Sequence, residues 1–421
     1  MTSGLLLLLA LSPTPQGDLE LLQYLPSVQD EQRFGTSFAD LGDVNGDGVA
    51  DFAVGSPGYR PEPWSWGGGL VQVFSGVDRS MLYAVKPVPT DDSLLGQNLT
   101  TLGDIDQDGV LDFFVGAGGF VPGYFVSGRD GSRLLSLVTH TVGQVGMQSA
   151  AIGDLTGDGL PELALGFPNE TVGSHFGAGR ILILNGADGQ HLMEAFGAAQ
   201  FRSLGSVLCG AGDLNGDGVP DLLVKGNDTG VTQHSDGFTA LSGVDLQPLY
   251  AVSARDLRME VVDLDALGDL NGDGTPDFLL TGYRRNSTGD WFQGVTRVMS
   301  GLDGSRLIQI LGSEFEDFGR DSSALGDVDG DGTPDFATLA FLLDRQWQLT
   351  PRLRVFSGVD GNELANLEGS KAGHYYGFVF GVSDLNGDKK AEIAASIPDN
   401  TVGGGTPGLL PGGQLFLFHL D

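Results

Sequence analysis

The chain is predicted to be all-β, a seven-bladed β-propeller of four-stranded antiparallel blades. Three observations predict it. An acidic turn recurs seven times, with its first aspartate at residues 43, 104, 154, 213, 269, 327 and 384. Short apolar runs of strand length surround each turn, and a repeat near sixty residues with four such runs is one propeller blade. Glycine supplies 68 of the 421 residues without a collagen period, which fits many tight turns and no long helix.

The elements follow in one order in each repeat. An inner strand ("SFADLG" in the first repeat, "SAAIG" in the third) precedes the acidic turn, and a fully apolar strand ("DFAVG", "DFFVG", "ELALG") follows it. A variable connection leads to a third strand ("GLVQVFSG", "GRILILNG", "RLRVFSG"). A Ser/Asn-Gly-x-Asp turn, at residues 75, 127, 185, 242, 300 and 357, then reverses the chain into a fourth strand. Glycine and aspartate tolerate the backbone such hairpins require. The seventh repeat ends at "GQLFLFHLD" after its third strand, while Leu19 to Leu25 ("LELLQYL") reads as an unattached fourth strand. An open ring would expose two sheet edges, so the N-terminal strand is expected to complete the last blade and close the ring.

Charge narrows the function. The net charge of −33 argues against nucleic acid and against an anionic membrane surface as partners. Much of it sits in the seven turns, which hold 23 of the 55 Asp and Glu residues. The single cysteine, Cys209, excludes an intramolecular disulfide; it falls in an inner strand, where a small packed residue explains it. Leu5 to Leu11 is too short an apolar run to cross a bilayer and resembles the core of a signal peptide. Residues 1–17 are therefore expected to be a leader and 18–421 the propeller, secreted or at the cell surface, with no transmembrane segment.

The turns carry the clearest chemistry. In "GDVNGDGVAD" the side chains of Asp43, Asn45, Asp47 and Asp51 and the Val49 carbonyl can converge on one point, with Gly48 allowing the bend. Oxygen donors at alternate positions suit a hard divalent cation, calcium above all. The same spacing gives Asp104, Asp106, Asp108, Val110 and Asp112 in the second turn and Asp213, Asn215, Asp217, Val219 and Asp221 in the fourth. It gives Asp269, Asn271, Asp273, Thr275 and Asp277 in the fifth, and Asp327, Asp329, Asp331, Thr333 and Asp335 in the sixth. The third turn (Asp154, Thr156, Asp158, Leu160, Glu162) has Thr in the Asn/Asp slot and Glu at the ninth position, and is expected to bind more weakly. The seventh (Asp384, Asn386, Asp388, Glu392) has Lys389 at the bend and Lys390 beside it, and these lysines are expected to replace part of the metal's charge. Five to seven Ca²⁺ ions are expected. Carboxylates ~4 Å apart repel by ~1 kcal/mol per pair even in water, and a ring of such turns without cations would repeat that cost in every blade.

The run "FGTSF…GDVNGDGVADFAVGSP" (residues 34–57) resembles the FG-GAP repeat of integrin α-subunit propellers and of many bacterial exported proteins. The Phe-Gly element returns as Phe318-Gly319 and, varied, as Leu95-Gly96, Leu204-Gly205 and Tyr376-Gly377; the second element appears as "VGSP", "VGAG" and "LGFP". The resemblance covers 19–421. An EF-hand would carry Glu where Val54 stands; the resemblance instead implies Asp51 as the closing ligand, as in integrin-type calcium turns. It also implies extracellular interaction without naming a ligand.

Propeller topology puts the acidic turns and the Ser-Gly-x-Asp hairpins on one face and the second-to-third-strand loops on the other. All four tryptophans, Trp64, Trp66, Trp291 and Trp347, are assigned to those loops, with Arg284 among the accompanying arginines. His374 and Tyr375 lie on the connection into the seventh blade. Aromatics with arginine on the variable face of an acidic protein suit recognition of a protein or glycan; the competing reading is that they cover blade edges. Catalysis has less support. The six histidines are scattered, and no Gly-x-Ser-x-Gly or phosphate loop is present. The alternatives to a binding or adhesion module are a polysaccharide lyase or sugar dehydratase, centred near His374 and Tyr375, and a structural cell-surface component. Four Asn-x-Thr tripeptides, at Asn98, Asn169, Asn227 and Asn286, match glycosylation acceptors.

Overall fold

The computed structural model describes residues 19–26, 33–60, 68–87, 94–117, 123–137, 148–198, 203–225, 237–285, 291–313, 316–343, 349–368, 377–397 and 413–420. Within them the chain forms seven four-stranded antiparallel sheets. Six are built from consecutive segments. Blade 1, for example, runs from the inner strand Ser37–Gly42 through Asp51–Gly55 and Val71–Phe74 to the outer strand Met81–Val85. Blade 7 combines Phe378–Val382, Glu392–Ile397 and Gln414–Leu420 with the N-terminal strand Leu19–Pro26, which pairs antiparallel with Gln414–Leu420 at the outer edge.

The second strand of each blade is flanked on both sides, so it reads as a continuous apolar run: every residue of Asp51–Gly55 and of Leu163–Phe167 is buried. The cores lie between blades. Val54, Phe52 and Phe74 of blade 1 pack with Ala394, Leu415 and Leu417 of blade 7. Phe38 stacks on Phe52 at 5.3 Å and on Phe380 of blade 7 at 5.4 Å. Each such buried Phe contributes roughly 1.5–3 kcal/mol.

The two short sequence elements of the repeat meet across these interfaces. Gly96, with φ of 84°, donates its N–H to the Gly116 carbonyl, and its own carbonyl accepts the Ser37 hydroxyl of blade 1 at 2.8 Å. A Cβ on Gly55 would stand 2.2 Å from that carbonyl, so the glycine of "VGSP" is what lets the next repeat approach. Phe34 fills the matching space in the core between blades 7 and 1, while the Gly35 carbonyl accepts the Ser396 hydroxyl at 2.6 Å.

Blades 5 and 6 depart from the expected plan. Asp277–Arg285 and Trp291–Met299 form a long hairpin with Arg285 opposite Trp291, and Asp335–Leu343 pairs with Leu349–Phe356. Segments assigned to loops are therefore strand: Trp291 opens the third strand of blade 5, and Arg284 belongs to its second. The apolar and β-branched residues from 291 to 298 continue the pairing past the blade. One helical turn, Ala254–Leu257, joins blades 4 and 5, capped by the Ser253 side chain.

Candidate metal centres

The acidic turns owe their shape to their own carboxylates. In the first, Asp43 Oδ1 accepts the N–H groups of Gly46 and Asp47, and Oδ2 accepts that of Gly48 at 2.8 Å. Asn45 Oδ1 accepts from Asp47 N and Asp47 Oδ1 from Val49 N. The fourth, fifth and sixth turns repeat this pattern. The seventh keeps it although Lys389 replaces glycine: Lys389 adopts φ of 72°, and its N–H donates to Asp384 Oδ2 at 2.8 Å. The lysine tolerates a strained backbone because the turn's hydrogen bonds hold it there. Lys390 does not enter the turn; its Nζ donates to the Leu420 carbonyl at 3.2 Å.

The ninth-position carboxylate links the turn to the hairpin on the same face. Asp51 Oδ2 accepts from Val44 N, and Oδ1 accepts from Gly76 N at 2.8 Å. Equivalent bonds join Asp112 to Gly128, Asp221 to Gly243, Asp277 to Gly301 and Asp335 to Gly358. Sequence reading took these aspartates for metal ligands and missed this second role. Its signal was present, since a Ser-Gly pair follows each of these aspartates at the end of the third strand, 16 to 25 residues on. Burial pushes Asp51, Asp112, Asp221 and Asp277 above the usual carboxylate range, and Asp335 up to about 6, against the lowering effect of these N–H donors.

Glutamate changes the arrangement. Glu162 reaches Leu155 N and the Thr156 hydroxyl, and Asn185 Nδ2 lies 3.4 Å from its Oε1. Glu392 accepts from Leu385 N at 2.6 Å, but its buried Oε1 has no hydrogen-bond partner. Burial, with Asp384 and Asp388 beside it, raises Glu392 to about 7; the charge of Arg79, whose buried Nε and Nη1 have no hydrogen-bond partner, opposes this.

Three carboxylates bring ligand oxygens within 4.8 Å of one another in four of the turns: Asp104, Asp106 and Asp108; Asp154, Asp158 and Glu162; Asp327, Asp329 and Asp335; Asp384, Asp388 and Glu392. The third and seventh turns, expected to be the weakest, are among them. In the third and seventh turns the ninth-position glutamate joins the cluster, and in the sixth Asp335 joins it while also accepting the hairpin's Gly358 N–H. An all-oxygen donor set with an unpartnered buried Glu oxygen fits a hard cation. In the second turn Arg129 already occupies Asp108, at 2.5 Å.

Of the residues proposed for ligand recognition, Trp64, Trp66, Trp347, His374 and Tyr375 lie outside the described residues, as does the leader at 1–17. Trp291 is placed by its backbone alone. Arg284 is half-buried on the flank of blade 5. Cys209 is buried in the inner strand of blade 4, and burial raises its thiol pKa. Among the described residues no helix is long and apolar enough to cross a membrane.

Seven four-stranded blades, each with an acidic turn between its first two strands, define an FG-GAP-type β-propeller. The FG-GAP repeat model matches residues 34–74 and 148–184. Curated relatives are integrin α-subunits. Integrin alpha-X of Mus musculus is 35% identical over 96 residues, 21% of this chain and 8% of the relative. Integrin alpha-5 of Xenopus laevis is 28% identical over 226 residues, 47% of this chain and 20% of the relative. Integrin alpha-V of Gallus gallus is 29% identical over 237 residues, 48% and 21%. The chain thus carries FG-GAP repeats on a seven-bladed propeller and is similar to integrin α-subunits, and its matches take in only a minor part of those relatives' lengths. A chain in the crystal structure of BBS1N in complex with ARL6DN, soaked with mercury, superposes with a TM-score of 0.56 at 12% identity, over 96% of this chain and 98% of that one, and shows the fold alone.

Proposed function

We propose that the protein is a calcium-stabilised, non-catalytic binding or adhesion module that works outside the cell or at its surface. The observation that carries this is the convergence of carboxylates in the repeated turns of an integrin α-like propeller. Five to seven Ca²⁺ ions are held by the side chains at positions one, three, five and nine of the turns and by the seventh-position carbonyls. When bound, the ion would supply positive charge at the turn's centre, and the turn would supply its oxygen donors. The chain's own part is to fix the donors: backbone N–H groups orient the first aspartate, and the ninth-position carboxylate secures the turn to its hairpin. A rigid metal face leaves the opposite face to vary, and a protein or glycan ligand is placed there, on Trp64, Trp66, Arg284, Trp291, Trp347, His374 and Tyr375. Residues 18–421 form the propeller and 1–17 the leader in this reading.

The test is a screen of the calcium-loaded chain against glycans and extracellular proteins, followed by Trp291→Ala and Trp347→Ala. The expected result is a ligand whose binding weakens at least tenfold while the melting temperature stays put. Equal loss of binding and stability would assign these residues to packing instead.

A further inference from the structure

We propose that the groove between blades 4 and 5 binds a dianionic phosphoryl or sulfuryl group. The groove encloses about 540 Å³ and is lined by Arg258, Arg284, Arg297 and Arg306, with Gln309 beside them and Val252, Leu257 and Met299 forming an apolar wall. In a chain of net charge −33, four of the 22 basic residues meet here. The groove's single carboxylate, Asp256, accepts the Ser253 hydroxyl at 2.6 Å within its own helical turn.

Arg297 is the centre of the site. It is 7% exposed, and among the described residues no carboxylate lies within ion-pair distance of it or of the other three arginines. Its Nε donates to Gln309 Oε1 at 3.1 Å and its Nη1 to the Leu257 carbonyl at 2.9 Å. The same Gln309 oxygen accepts from Arg306 at 2.8 Å, so one amide holds two guanidinium groups side by side. Burial, with Arg306 and Arg284 facing it, pulls Arg297 down to about 10. A buried charge without a counter-charge is costly to keep.

Blade 6 shows the neutralised form of this position. Arg354 precedes "VFSG" as Arg297 precedes "VMSG", and it pairs with Glu363 at 2.8 Å and with buried Glu316 at 3.3 Å. Glu363 stands opposite Phe356 as Arg306 stands opposite Met299. Blade 5 thus carries arginine where blade 6 carries the compensating glutamate. The missing negative charge is left to a ligand, and the planar guanidinium forks favour an oxyanion with several acceptors. The groove uses none of the acidic-turn residues, so the site stands apart from the calcium reading.

The test is calorimetric titration of the full chain, at constant calcium and low chloride, with sodium sulfate, glucose 6-phosphate and sodium acetate. Saturable one-to-one binding of the first two is expected, at least tenfold tighter than acetate. Tighter binding of glucose 6-phosphate than of sulfate would mark a group carried on a sugar, and equal binding a free anion; either supports the site. Arg306→Glu, which copies blade 6, should abolish binding and raise the melting temperature of the ligand-free chain. Arg284→Gln, at a half-buried position, should weaken binding several-fold without unfolding. Absence of saturable binding by both dianions, or unchanged affinity in both variants, would overturn the proposal.

Discussion

Blades 4 and 7 present the same acidic turn on different foundations. Blade 4 is one continuous stretch of chain, and Asp221 accepts both Leu214 N, at 2.8 Å, and the hairpin's Gly243 N, at 2.9 Å. Blade 7 is assembled from the two ends of the described chain, and Glu392 holds Leu385 N while its other oxygen stays buried and unpartnered. In the first turn the carboxylate is a structural tie; in the second it is a free donor at the centre of a carboxylate cluster. The difference teaches that agreement with a consensus motif and readiness for a cation are separate properties. A residue that completes the motif can already be committed to the backbone.

The comparison breaks most severely at the outer strand of blade 7. Removing residues 19–26 exposes the Gln414–Leu420 edge and uncovers Phe416 and Phe418. Aggregation or loss of a cooperative unfolding transition is expected by light scattering and calorimetry; a monomeric truncation with unchanged melting would show that the strand is dispensable.

Asp221→Ala should cost about 3 kcal/mol, because it strands two buried N–H groups. Urea denaturation should show that loss in EDTA as well as in calcium, where losing a ligand of the fourth turn adds up to about 1.4 kcal/mol to it. Glu392→Gln should behave in the opposite way. In calcium it should lose about 1.4 kcal/mol, the contribution of one site at tenfold ion excess, and in EDTA it should lose nothing, since it removes a buried oxygen charge that has no partner. Identical profiles for the two variants would erase the distinction between tie and donor.

A smaller effect sharpens the contrast between the rim and the inner strands. Asp263 and Asp321, half-buried on the inner strands of blades 5 and 6, are pushed up first by burial, Asp263 to about 7; the Asp265 charge adds to this at Asp263, and the charges of Asp263 and Asp265 add to it at Asp321. They accept bonds from the Ser322 hydroxyl and from Val379 N. Unfolded, these carboxyls ionise near pH 4; folded, they keep a proton to higher pH. The native state therefore binds more protons above about pH 4, and stability falls as pH rises through that interval. Between pH 5 and 8, Asp263→Asn should lessen the decline by about 1 kcal/mol, read from denaturation midpoints. A steeper decline in the variant would contradict the raised pKa.

Much of this architecture was legible because its determinants are local. Gly-Asp turns, Ser-Gly-x-Asp hairpins and apolar runs announce strand ends within a few residues, and "VGSP" with Phe-Gly marks the interblade approach seen at Gly55 and Gly96. The Leu19–Leu25 run was readable as a strand because nothing else paired with the last one. What escaped was tertiary. The sequence between Arg284 and Trp291 is polar, so this stretch reads as a loop until the pairing of the two flanking strands is known. The commitment of Asp51 or Asp221 to a hairpin N–H depends on a contact more than twenty residues away. The arginine groove was overlooked because an isolated Arg306 looks like a solvated charge; only alignment of blade 5 on blade 6 shows that it stands where Glu363 belongs.

The most direct test of the account is the melting temperature of the full chain in calcium and in EDTA. Extracellular modules bind calcium with dissociation constants of roughly 10⁻⁴–10⁻³ M. At tenfold excess, five sites would add about 7 kcal/mol, so chelation should lower the melting temperature by about 10 °C or more, reversibly on return of the ion. A melting temperature indifferent to EDTA would contradict calcium as the occupant of these turns.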